Sequence, residues 1–451
     1  MKAIVDCNNF YCSCERLFKP QLEKKPVVVL SNNDGCIISR SDEAKKLGIK
    51  MGAPFFEARE LIAKNKVAVF SSNYNLYGDL SWRVMETLRQ IVGTEKVEVY
   101  SVDEAFLELD IEGGDASRSA MLASDSLVLA SDAAMSASAS TEKKLTQLAI
   151  SIREQVEQWT GIKVSVGIAP TKTLAKLANR LAKKDKLGTN CVMVLNNKKA
   201  IEEALRNTAV EDIWGIGGRY AKKLKENWGI YDGFQLSKIS EELASKYLGG
   251  VVGARLIREL NGVLSKEMQQ QLVQKKMIAT TRMFGRNVTS FFELREAVAA
   301  YTSRAAEKLR RQEGLAQAIS IFIMAKDSNF HHGTAYNNYA LLSVPSSNTD
   351  ELIKAALSLL APIYKQGLIY KKAGVILHDI IPNTALQTNL FVAAPITNKK
   401  KLMLMLDNIN FSHKANMVHF AATGNNQAWK MKQQYCSARY TTQWEELMQV
   451  K

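Results

Sequence analysis

Short apolar runs alternate with amphipathic segments along the first 110 residues, which is the pattern of a domain built from layers of strands and helices. Residues 3–5 form an apolar run that ends at Asp6, and helical spacing follows over residues 11–17. Residues 27–30 are continuously apolar and lead into the turn-forming sequence NNDG. We therefore predict a strand, a helix and a second strand, with Asp6 at the end of the first strand.

Capping signals and periodicity define the next elements. Ser41 is a suitable N-cap for a short helix that ends at Gly48, because acidic residues fill its first turn and lysines its last. Further segments have clear helical or strand periodicity, which predicts helices over 77–91 and 145–159 and strands over 97–102, 105–109 and 162–169.

From residue 113 onward, the chain consists of segments that differ in amino-acid composition. Residues 113–141 are rich in Ala and Ser and lack aromatic residues and proline, which predicts a mobile insertion or a weak helix. Thr171 is a suitable cap for a helix over residues 172–184, which has an apolar face and a basic stripe. The C-terminal regions differ in predicted structure: helices with glycine-rich turns over 191–262, strands mixed with helices over 277–377, and an appended tail from residue 382.

The overall composition indicates a folded protein with a polyanionic partner. The chain has 451 residues, 46% of them hydrophobic, enough for about three domains of roughly 150 residues. Its net charge of +15 favours nucleic acid or an anionic membrane surface as the partner, and charge alone does not separate the two. Because no apolar run reaches the roughly 18 residues of a membrane span and no secretory segment opens the chain, we expect a cytoplasmic protein without a membrane partner. The six cysteines lack metal or disulfide spacing and are expected to be reduced thiols.

Two neighbouring acids, Asp103 and Glu104, interrupt the predicted pair of strands. Adjacent side chains of a strand point to opposite faces, so the acids converge only if the chain bends there, which predicts a hairpin with both acids near its tip. One alternative is that they are solvated turn residues. Asp6, at the end of a separate strand, favours another interpretation, because three close carboxylates are stable as ions only around bound cations. Oxygen ligands without His or Cys select Mg²⁺, or Mn²⁺ in its place, and two such ions serve nucleotidyl transfer.

Basic residues provide candidate phosphate contacts. Lys45 and Lys183 would face a triphosphate beside the acids, and the alternative is that both belong to solvated faces. The segment WGIGGRYAKKL places a Gly-x-Gly turn before a lysine-rich helix, which is typical of a helix-hairpin-helix that binds the DNA backbone. A simple helix connection is the alternative. The candidate DNA contacts in this segment are Gly215, Gly217, Arg219 and Lys222.

Several motifs in a fixed order give the chain a specific resemblance. It resembles the Y family of translesion DNA polymerases in DCNNFY, SVDEAF, VGIAPTKTLAKLAN and WGIGGRYAKKL. It resembles the UmuC-type branch of that family, the catalytic subunits of DNA polymerase V, in KPVVVLSNNDGC, SSNYNLYGDLS, YKKAGVIL and ARYTTQWEEL. The likeness covers nearly the whole chain except residues 113–141. The family implies an error-prone DNA polymerase of the SOS response that adds deoxynucleotides opposite damaged bases.

The resemblance implies a multidomain α/β (α+β) fold, a right-handed polymerase with palm, fingers, helical thumb and little-finger domains and a C-terminal tail. The implied boundaries are 1–20 and 78–170 for the palm with its insertion, 21–77 for the fingers, 171–262 for the thumb, 276–381 for the little finger and 382–451 for the tail.

The resemblance also implies roles for single residues. Asp6, Asp103 and Glu104 match the catalytic ligands of two Mg²⁺ ions, with the Cys7 backbone carbonyl as a further ligand. Tyr11 matches the steric gate that excludes a ribose 2′-hydroxyl. Other residues match positions that contact the nucleotide: Phe10, Ser39, Lys45 and Lys183.

The implied partners are primer-template DNA, dNTPs, a sliding clamp, a UmuD′-type dimer and RecA. QTNLF occupies the position of a clamp-binding peptide, with Gln387, Leu390 and Phe391 as its anchors. Two other classes of protein stay open at this point. One is a DNA-binding scaffold that has lost its chemistry, and the other is a nucleotidyl cyclase that shares the carboxylate arrangement.

Overall fold

The computed structural model describes residues 1–110, 131–269, 274–327, 333–385, 397–413 and 417–447. Contacts along the backbone divide the chain into two units. The first unit comprises Met1–Val27, Ser39–Leu47 and Asn73–Gln271, and the second comprises Val28–Ile38, Gly48–Ser72 and Leu272–Lys451. Within the described ranges, no helix has both the length and the apolar character that a membrane span requires.

The strands and helices predicted for residues 3–184 are present in that order. The structure adds elements that were not predicted, among them a strand over residues 192–194 in the region predicted to be helical. The strands are β1 Lys2–Cys7, β2 Val27–Leu30, β3 Ile37–Arg40, β4 Ala68–Ser71, β5 Val97–Val99, β6 Glu104–Glu108, β7 Val164–Ala169, β8 Val192–Val194, β9 Ile278–Val288, β10 Gly314–Ala325, β11 Thr334–Ser346, β12 Tyr370–His378 and β13 Ile381–Pro382. The helices are α1 Phe10–Leu17, α2 Asp42–Lys46, α3 Phe55–Lys64, α4 Tyr74–Val92, α5 Ser131–Thr160, α6 Lys172–Lys184, α7 Lys198–Arg206, α8 Gly218–Trp228, α9 Gly233–Ser237, α10 Glu241–Tyr247, α11 Val251–Leu260, α12 Phe291–Arg311, α13 Thr349–Leu360 and α14 Thr397–Ser412.

Strand β1 is the central strand of the five-stranded sheet in the first unit, whose order is β5-β6-β1-β7-β8. It pairs antiparallel with β6 on one side and with β7 on the other, and every residue of β1 is buried. A strand that is apolar and buried on both faces needs helices on both sides of its sheet. Helix α6 packs on β1 and β7, and α5 packs on β7 and against α4.

The predicted hairpin at the two neighbouring acids is confirmed. Strands β5 and β6 pair antiparallel, with Asp103 in the turn that joins them and Glu104 at the first position of β6. The predicted end of the first strand differs slightly, because β1 continues through Cys7. Asp6 therefore lies within the strand, where β6 and β7 both pair with it.

The predicted helix caps are also confirmed. Thr171 accepts a hydrogen bond from the amide of Leu174 at the start of α6, and Ser41 accepts one from the amide of Ala44 at the start of α2. The Ala/Ser-rich insertion lies mostly outside the described residues, since 111–130 are not among them. Its last residues form the first turns of α5.

Helix α6 lies close to β7 because Gly167 has no side chain. A Cβ atom at Gly167 would lie 2.3 Å from the amide nitrogen of Asn179 and 2.5 Å from the carbonyl oxygen of Ala175, both on α6. The side chain of Asn179 in turn donates to the carbonyl of Ser165 on β7 at 2.7 Å. This close contact fixes α6, and with it the basic stripe, against the central strands.

Helices α7 to α11 form the helical region predicted over residues 191–262. Their apolar faces share a core with α6, Ile4 of β1 and Phe106 of β6. The glycine-rich turn precedes α8, with Gly217 as its N-cap. Gly215 has a φ of 100°, which is a backbone conformation that favours glycine.

The second unit contains a four-stranded antiparallel sheet with the order β11-β10-β12-β9. Helices α12 and α13 pack on it, and their apolar residues form one core with alternate residues of β10 and β12. Strand β13 pairs with the beginning of β10, and β3, β2 and β4 form a separate three-stranded sheet. The division of the chain into palm, fingers, thumb and little finger stays a prediction.

In the described part of the predicted tail, Trp429 docks on the rest of the second unit, although most of residues 417–447 are exposed or half-buried. Trp429 is 3% exposed and contacts Phe284 of β9 and Tyr301 of α12. The composition of the tail contains no signal for this packing, because a single tryptophan among polar residues does not distinguish a docked segment from an exposed one.

Replacing Gly167 by alanine tests the close contact between α6 and β7. We expect Gly167→Ala to destabilise the protein by about 1–3 kcal/mol, because the added methyl group overlaps main-chain atoms of α6. Gly78→Ala in α4 is the matched control, since a Cβ there meets nothing within 4 Å and alanine favours a helix by roughly 0.5–1 kcal/mol. Urea unfolding midpoints should move in opposite directions for the two variants, and a shift in the same direction would contradict this packing.

Candidate active site

The carboxyl groups of Asp6 and Glu104 meet across the central strands. The two residues are direct partners in the register of β1 and β6, and their side chains are hydrogen-bonded. Burial raises the pKa of Asp6 to about 7, and its contact with Glu104 contributes to the rise although the neighbouring Lys183 opposes it. Burial also disfavours ionisation of Glu104, but hydrogen bonds from Asp6 and Lys176 lower its pKa. The pair therefore holds less than two negative charges at neutral pH.

Two lysines of α6 compensate these acids. The ammonium group of Lys183 forms an ion pair with Asp6, and that of Lys176 donates to Glu104 at 2.5 Å. Positions seven residues apart lie on the same helix face, so both lysines reach the same end of the sheet. Lys176 also lies 5.2 Å from the ring centre of Tyr100 and 5.8 Å from that of Trp214. Lys183 was predicted at the site and Lys176 was not, although their seven-residue spacing places both on one face of the helix.

Asp103 lies beside the pair without joining its hydrogen bond. The amide of Cys7 donates to the carbonyl of Asp103 at 2.8 Å, which ties the hairpin turn to the end of β1. The Asp103 carboxylate accepts from the hydroxyl of Ser101 at 2.6 Å. The Cys7 side chain is buried, and burial raises the pKa of its thiol. The four residues predicted at the metal site thus lie at one corner of the sheet.

The donor set at this corner suits a divalent cation. Carboxylate oxygens are hard ligands of the kind that Mg²⁺ and Mn²⁺ prefer, and a cation would compensate the charges that the two lysines now balance. Within the residues that the structure describes, however, no three His, Cys, Asp or Glu side chains converge closely enough to enclose an ion. The structure brings Asp6 and Glu104 into contact and leaves Asp103 on its serine partner.

The predicted sugar-contacting residues lie at the start of α1. Phe10 is buried, and its ring centre is 5.7 Å from that of Tyr11. The Tyr11 ring stacks on Tyr77 of α4 at 4.5 Å with an angle of 18° between the planes. Tyr74 packs edge-on against Tyr11 at 6.1 Å. Tyr74 and Tyr77 were not predicted at the site, although both lie in the motif SSNYNLYGDLS.

Lys45 belongs to a second polar cluster of the first unit. Its ammonium group donates to Asn9 at 2.6 Å and to Asp42 at 2.9 Å, and Lys186 also donates to Asp42 at 2.5 Å. Burial disfavours ionisation of Asp42, but hydrogen bonds from these lysines and from Asn9 hold its pKa well below the usual range. Asn9 and Lys186 are further residues that the sequence analysis did not single out. The buried Ser39 donates to the sulfur of Cys12 at 3.3 Å.

The predicted DNA-contacting residues lie around the beginning of α8. A Cβ atom at Gly215 or Gly217 would meet nothing within 4 Å, so the turn is open to an approaching ligand. Arg219 and Lys222 lie on the first turns of α8, whose N-cap makes no side-chain hydrogen bond. Free amides at a helix start favour a phosphate group. The predicted clamp-binding residues Gln387, Leu390 and Phe391 lie outside the described residues.

Three family models match the chain. The impB/mucB/samB family matches residues 5–180, its C-terminal domain matches residues 275–390, and a domain of unknown function matches residues 400–450. Similar curated proteins include UmuC of Salmonella typhimurium, which is 40% identical over 455 residues and aligns over 100% of both chains. SamB of the same organism is 38% identical over 99% of both chains. A DNA polymerase IV of Oceanobacillus iheyensis is 25% identical over 92% of this chain and 90% of its own.

Solved structures show the same fold. A Y-family DNA polymerase chimera of Dbh and Dpo4 aligns with 85% of this chain and 100% of its own at a TM-score of 0.62, with 21% sequence identity. An insertion ternary complex of Dbh DNA polymerase aligns over the same shares at a TM-score of 0.53. The predicted fold class and the predicted error-prone translesion DNA polymerase of the SOS response are confirmed. The chain belongs to the impB/mucB/samB family and is a UmuC-type member of the Y-family DNA polymerases.

Proposed function

We propose that the corner formed by Asp6, Asp103 and Glu104 is the active site for template-directed nucleotidyl transfer. In this reaction the primer 3′ hydroxyl attacks the α-phosphate of a dNTP and pyrophosphate leaves. The observation that carries the proposal is the side-by-side placement of Asp6 and Glu104 on neighbouring strands, with the turn at Asp103 tied to Cys7 by a main-chain hydrogen bond.

The acids are proposed to hold the divalent ions that polymerases use. Asp6, Asp103, Glu104 and the Cys7 carbonyl would be the ligands of two Mg²⁺ ions, with Mn²⁺ as a substitute. Such ions, when bound, make the attacking hydroxyl more nucleophilic and stabilise the leaving oxygen. The contribution of the chain itself is to hold the carboxylates at one corner of the sheet, where Asp6 is buried and Glu104 is half-buried.

The basic residues are proposed to bind the triphosphate. Lys183 balances Asp6 in this structure, and its flexible side chain would transfer to a phosphate oxygen once other cations balance the acids. Lys45, which is partly exposed, would contribute from its polar cluster in the same way. Both would stabilise the charge that develops on pyrophosphate as it leaves. Tyr11, Phe10 and Ser39 are proposed to line the nucleotide pocket, with the Tyr11 ring beneath the sugar.

Further contacts of this polymerase are proposed from its family. The turn at Gly215 and Gly217, followed by Arg219 and Lys222, would hold the backbone of primer-template DNA without reading its sequence. Gln387, Leu390 and Phe391 would bind a sliding clamp. The likeness to UmuC supports a UmuD′-type dimer and RecA as further partners.

Changing Asp103 to asparagine tests the proposed site. We expect Asp103→Asn to lower the rate of primer extension by about 10² to 10³, because one electrostatic element of the site is lost, while DNA binding is largely retained. Asp110→Asn is the matched control, since that exposed carboxylate follows the same strand and pairs only with Lys96 among the contacts described for it. Single-turnover extension and DNA-binding titrations of both variants measure the effect. Normal extension by Asp103→Asn would exclude the proposed site.

Removing the ammonium group of Lys183 tests its proposed role with the triphosphate. We expect Lys183→Ala to lower kcat/KM for dNTPs by roughly 10- to 100-fold, because the ammonium group would no longer balance the negative charge that develops on the leaving pyrophosphate. The exposed neighbour Lys184 provides the control, and Lys184→Ala should leave kcat/KM within about twofold. Equal effects of the two substitutions would show that only the overall charge of α6 matters.

A further inference from the structure

Tyr11 rests on a buried support made by two other residues. Tyr11 and Glu15 are four positions apart on α1 and therefore lie on the same helix face. Tyr77 of α4 fits between them, with its ring stacked on Tyr11 at 4.5 Å and its hydroxyl donating to a Glu15 carboxylate oxygen at 2.6 Å. Tyr77 and Glu15 are both fully buried. Tyr74 packs edge-on against Tyr77 at 6.3 Å as well as against Tyr11.

These contacts leave the Tyr77 ring little freedom to move. A buried carboxylate is costly without a hydrogen-bond donor, and a hydrogen bond in a buried environment is stronger than in water. The bond to Glu15 therefore fixes one end of Tyr77, and the stacked Tyr11 ring lies on its face. The Tyr77 ring and its hydrogen bond to Glu15 therefore help to set the position of the Tyr11 ring relative to the sheet, in addition to α1 itself.

We propose that Tyr77 and Glu15 are positioning residues that set how strictly this polymerase rejects ribonucleotides. The proposal rests on the proposed role of Tyr11 as the residue beneath the sugar. A ribonucleotide differs from a deoxynucleotide by one oxygen, so a small displacement of the Tyr11 ring is enough to admit or exclude it. Neither positioning residue needs to touch the nucleotide for this effect.

The ratio of kcat/KM for a dNTP to that for the matching rNTP, on undamaged primer-template DNA, tests the proposal. Tyr77→Phe keeps the ring and removes the hydroxyl, and we expect the ratio to fall about tenfold while kcat/KM for the dNTP changes less than about threefold. Glu15→Gln keeps an acceptor oxygen and should retain the wild-type ratio. Tyr231→Phe, at an exposed tyrosine, controls for the loss of a hydroxyl group. Because both substrates are used by the same folded molecules, a partly unfolded preparation does not alter the ratio.

Tyr11→Ala in the same assay distinguishes a failure of the proposed role of Tyr11 from a failure of the positioning inference. If Tyr11→Ala leaves the ratio unchanged, Tyr11 is not the residue beneath the sugar and the proposed function of Tyr11 fails. If Tyr11→Ala lowers the ratio but Tyr77→Phe does not, Tyr11 keeps its role and the positioning inference alone is overturned.

A second inference concerns a strap formed by residues 429–435, within the domain of unknown function. At its beginning, the buried Trp429 donates from its indole to Glu296 of α12 at 3.3 Å, and its carbonyl accepts from the amide of Gly285 on β9 at 3.0 Å. A Cβ atom at Gly285 would lie 2.1 Å from the carbonyl oxygen of Lys430, so only glycine allows the strap to lie on β9.

The other end of the strap is bonded to a different part of the second unit. The amides of residues 432 and 434 donate to the side chains of Asn33 and Asp34, each at 2.8 Å. The backbone of Tyr435 accepts from the Ser71 amide at 3.0 Å, and its own amide donates to the Ser71 hydroxyl at 2.9 Å. Asn33 additionally donates to the carbonyl of Phe284 on β9 at 3.1 Å. The turn-forming NNDG sequence thus serves as the attachment point of the strap.

We infer that the strap is a brace that makes the segments Val28–Ile38 and Gly48–Ser72 move together with the sheet that contains β9. The strap is bonded to one part at each of its ends, so separating the two parts requires breaking all the hydrogen bonds at one end of the strap. This assigns a mechanical role to the last part of the chain, independent of the nucleotide site.

Hydrogen exchange on the full chain tests the brace. We expect Trp429→Ala to speed exchange about tenfold in peptides covering 68–72 as well as 283–288 and 429–436, although 68–72 do not contact Trp429. Asp34→Ala, a milder change at the other end, should speed exchange over 429–436. Trp444→Ala, at an 85% exposed tryptophan of the same domain, is the control and should change none of them. Faster exchange confined to 283–288 and 429–436 in Trp429→Ala, or unchanged exchange in Asp34→Ala, would overturn the inference.

Discussion

The contact between the carboxyl groups of Asp6 and Glu104 is the interaction on which the candidate active site depends. Two neighbouring acids repel each other when both are ionised, and here a hydrogen bond between them and the lysines of α6 reduce that repulsion. The register of β1 with β6 sets the contact, and Gly167 lets α6 come close enough to supply the lysines. On our proposal, a triphosphate and divalent ions replace these internal partners during the reaction.

The same strand also positions the residues proposed to hold the sugar. After β1 the chain turns at Asn9, whose φ of 50° is tolerated by asparagine better than by most residues, and then enters α1. The side chain of Asn8 accepts from Ser165 on β7 at 2.8 Å and so ties this turn to the sheet. Tyr11 therefore follows the carboxylate corner by only five residues on a short connection, and Tyr77 and Glu15 hold it from below.

Much of this arrangement could be predicted from the sequence because it depends on local signals. The hairpin at Asp103 follows from the strand periodicity on either side of it, and the helix cap at Thr171 follows from its residue type. The family motifs assigned the three acids to one site. Contacts between residues far apart in the chain leave no signal in the local sequence. The support under Tyr11 depends on two separate helices, and the docking of Trp429 depends on Glu296 and Gly285, which lie far earlier in the chain. Composition therefore predicted an appended tail without indicating that Trp429 docks on the second unit.

Binding of Mn²⁺ measured by electron paramagnetic resonance tests the central claim most directly. The titration uses the full chain with primer-template DNA and a non-hydrolysable dNTP, and it compares the wild type with Asp6→Asn and with the surface variant Asp110→Asn. We expect Asp6→Asn to lose protein-dependent Mn²⁺ binding and Asp110→Asn to retain it. Equal binding by Asp6→Asn and the wild type would show that the paired acids at the end of β1 do not form the metal site.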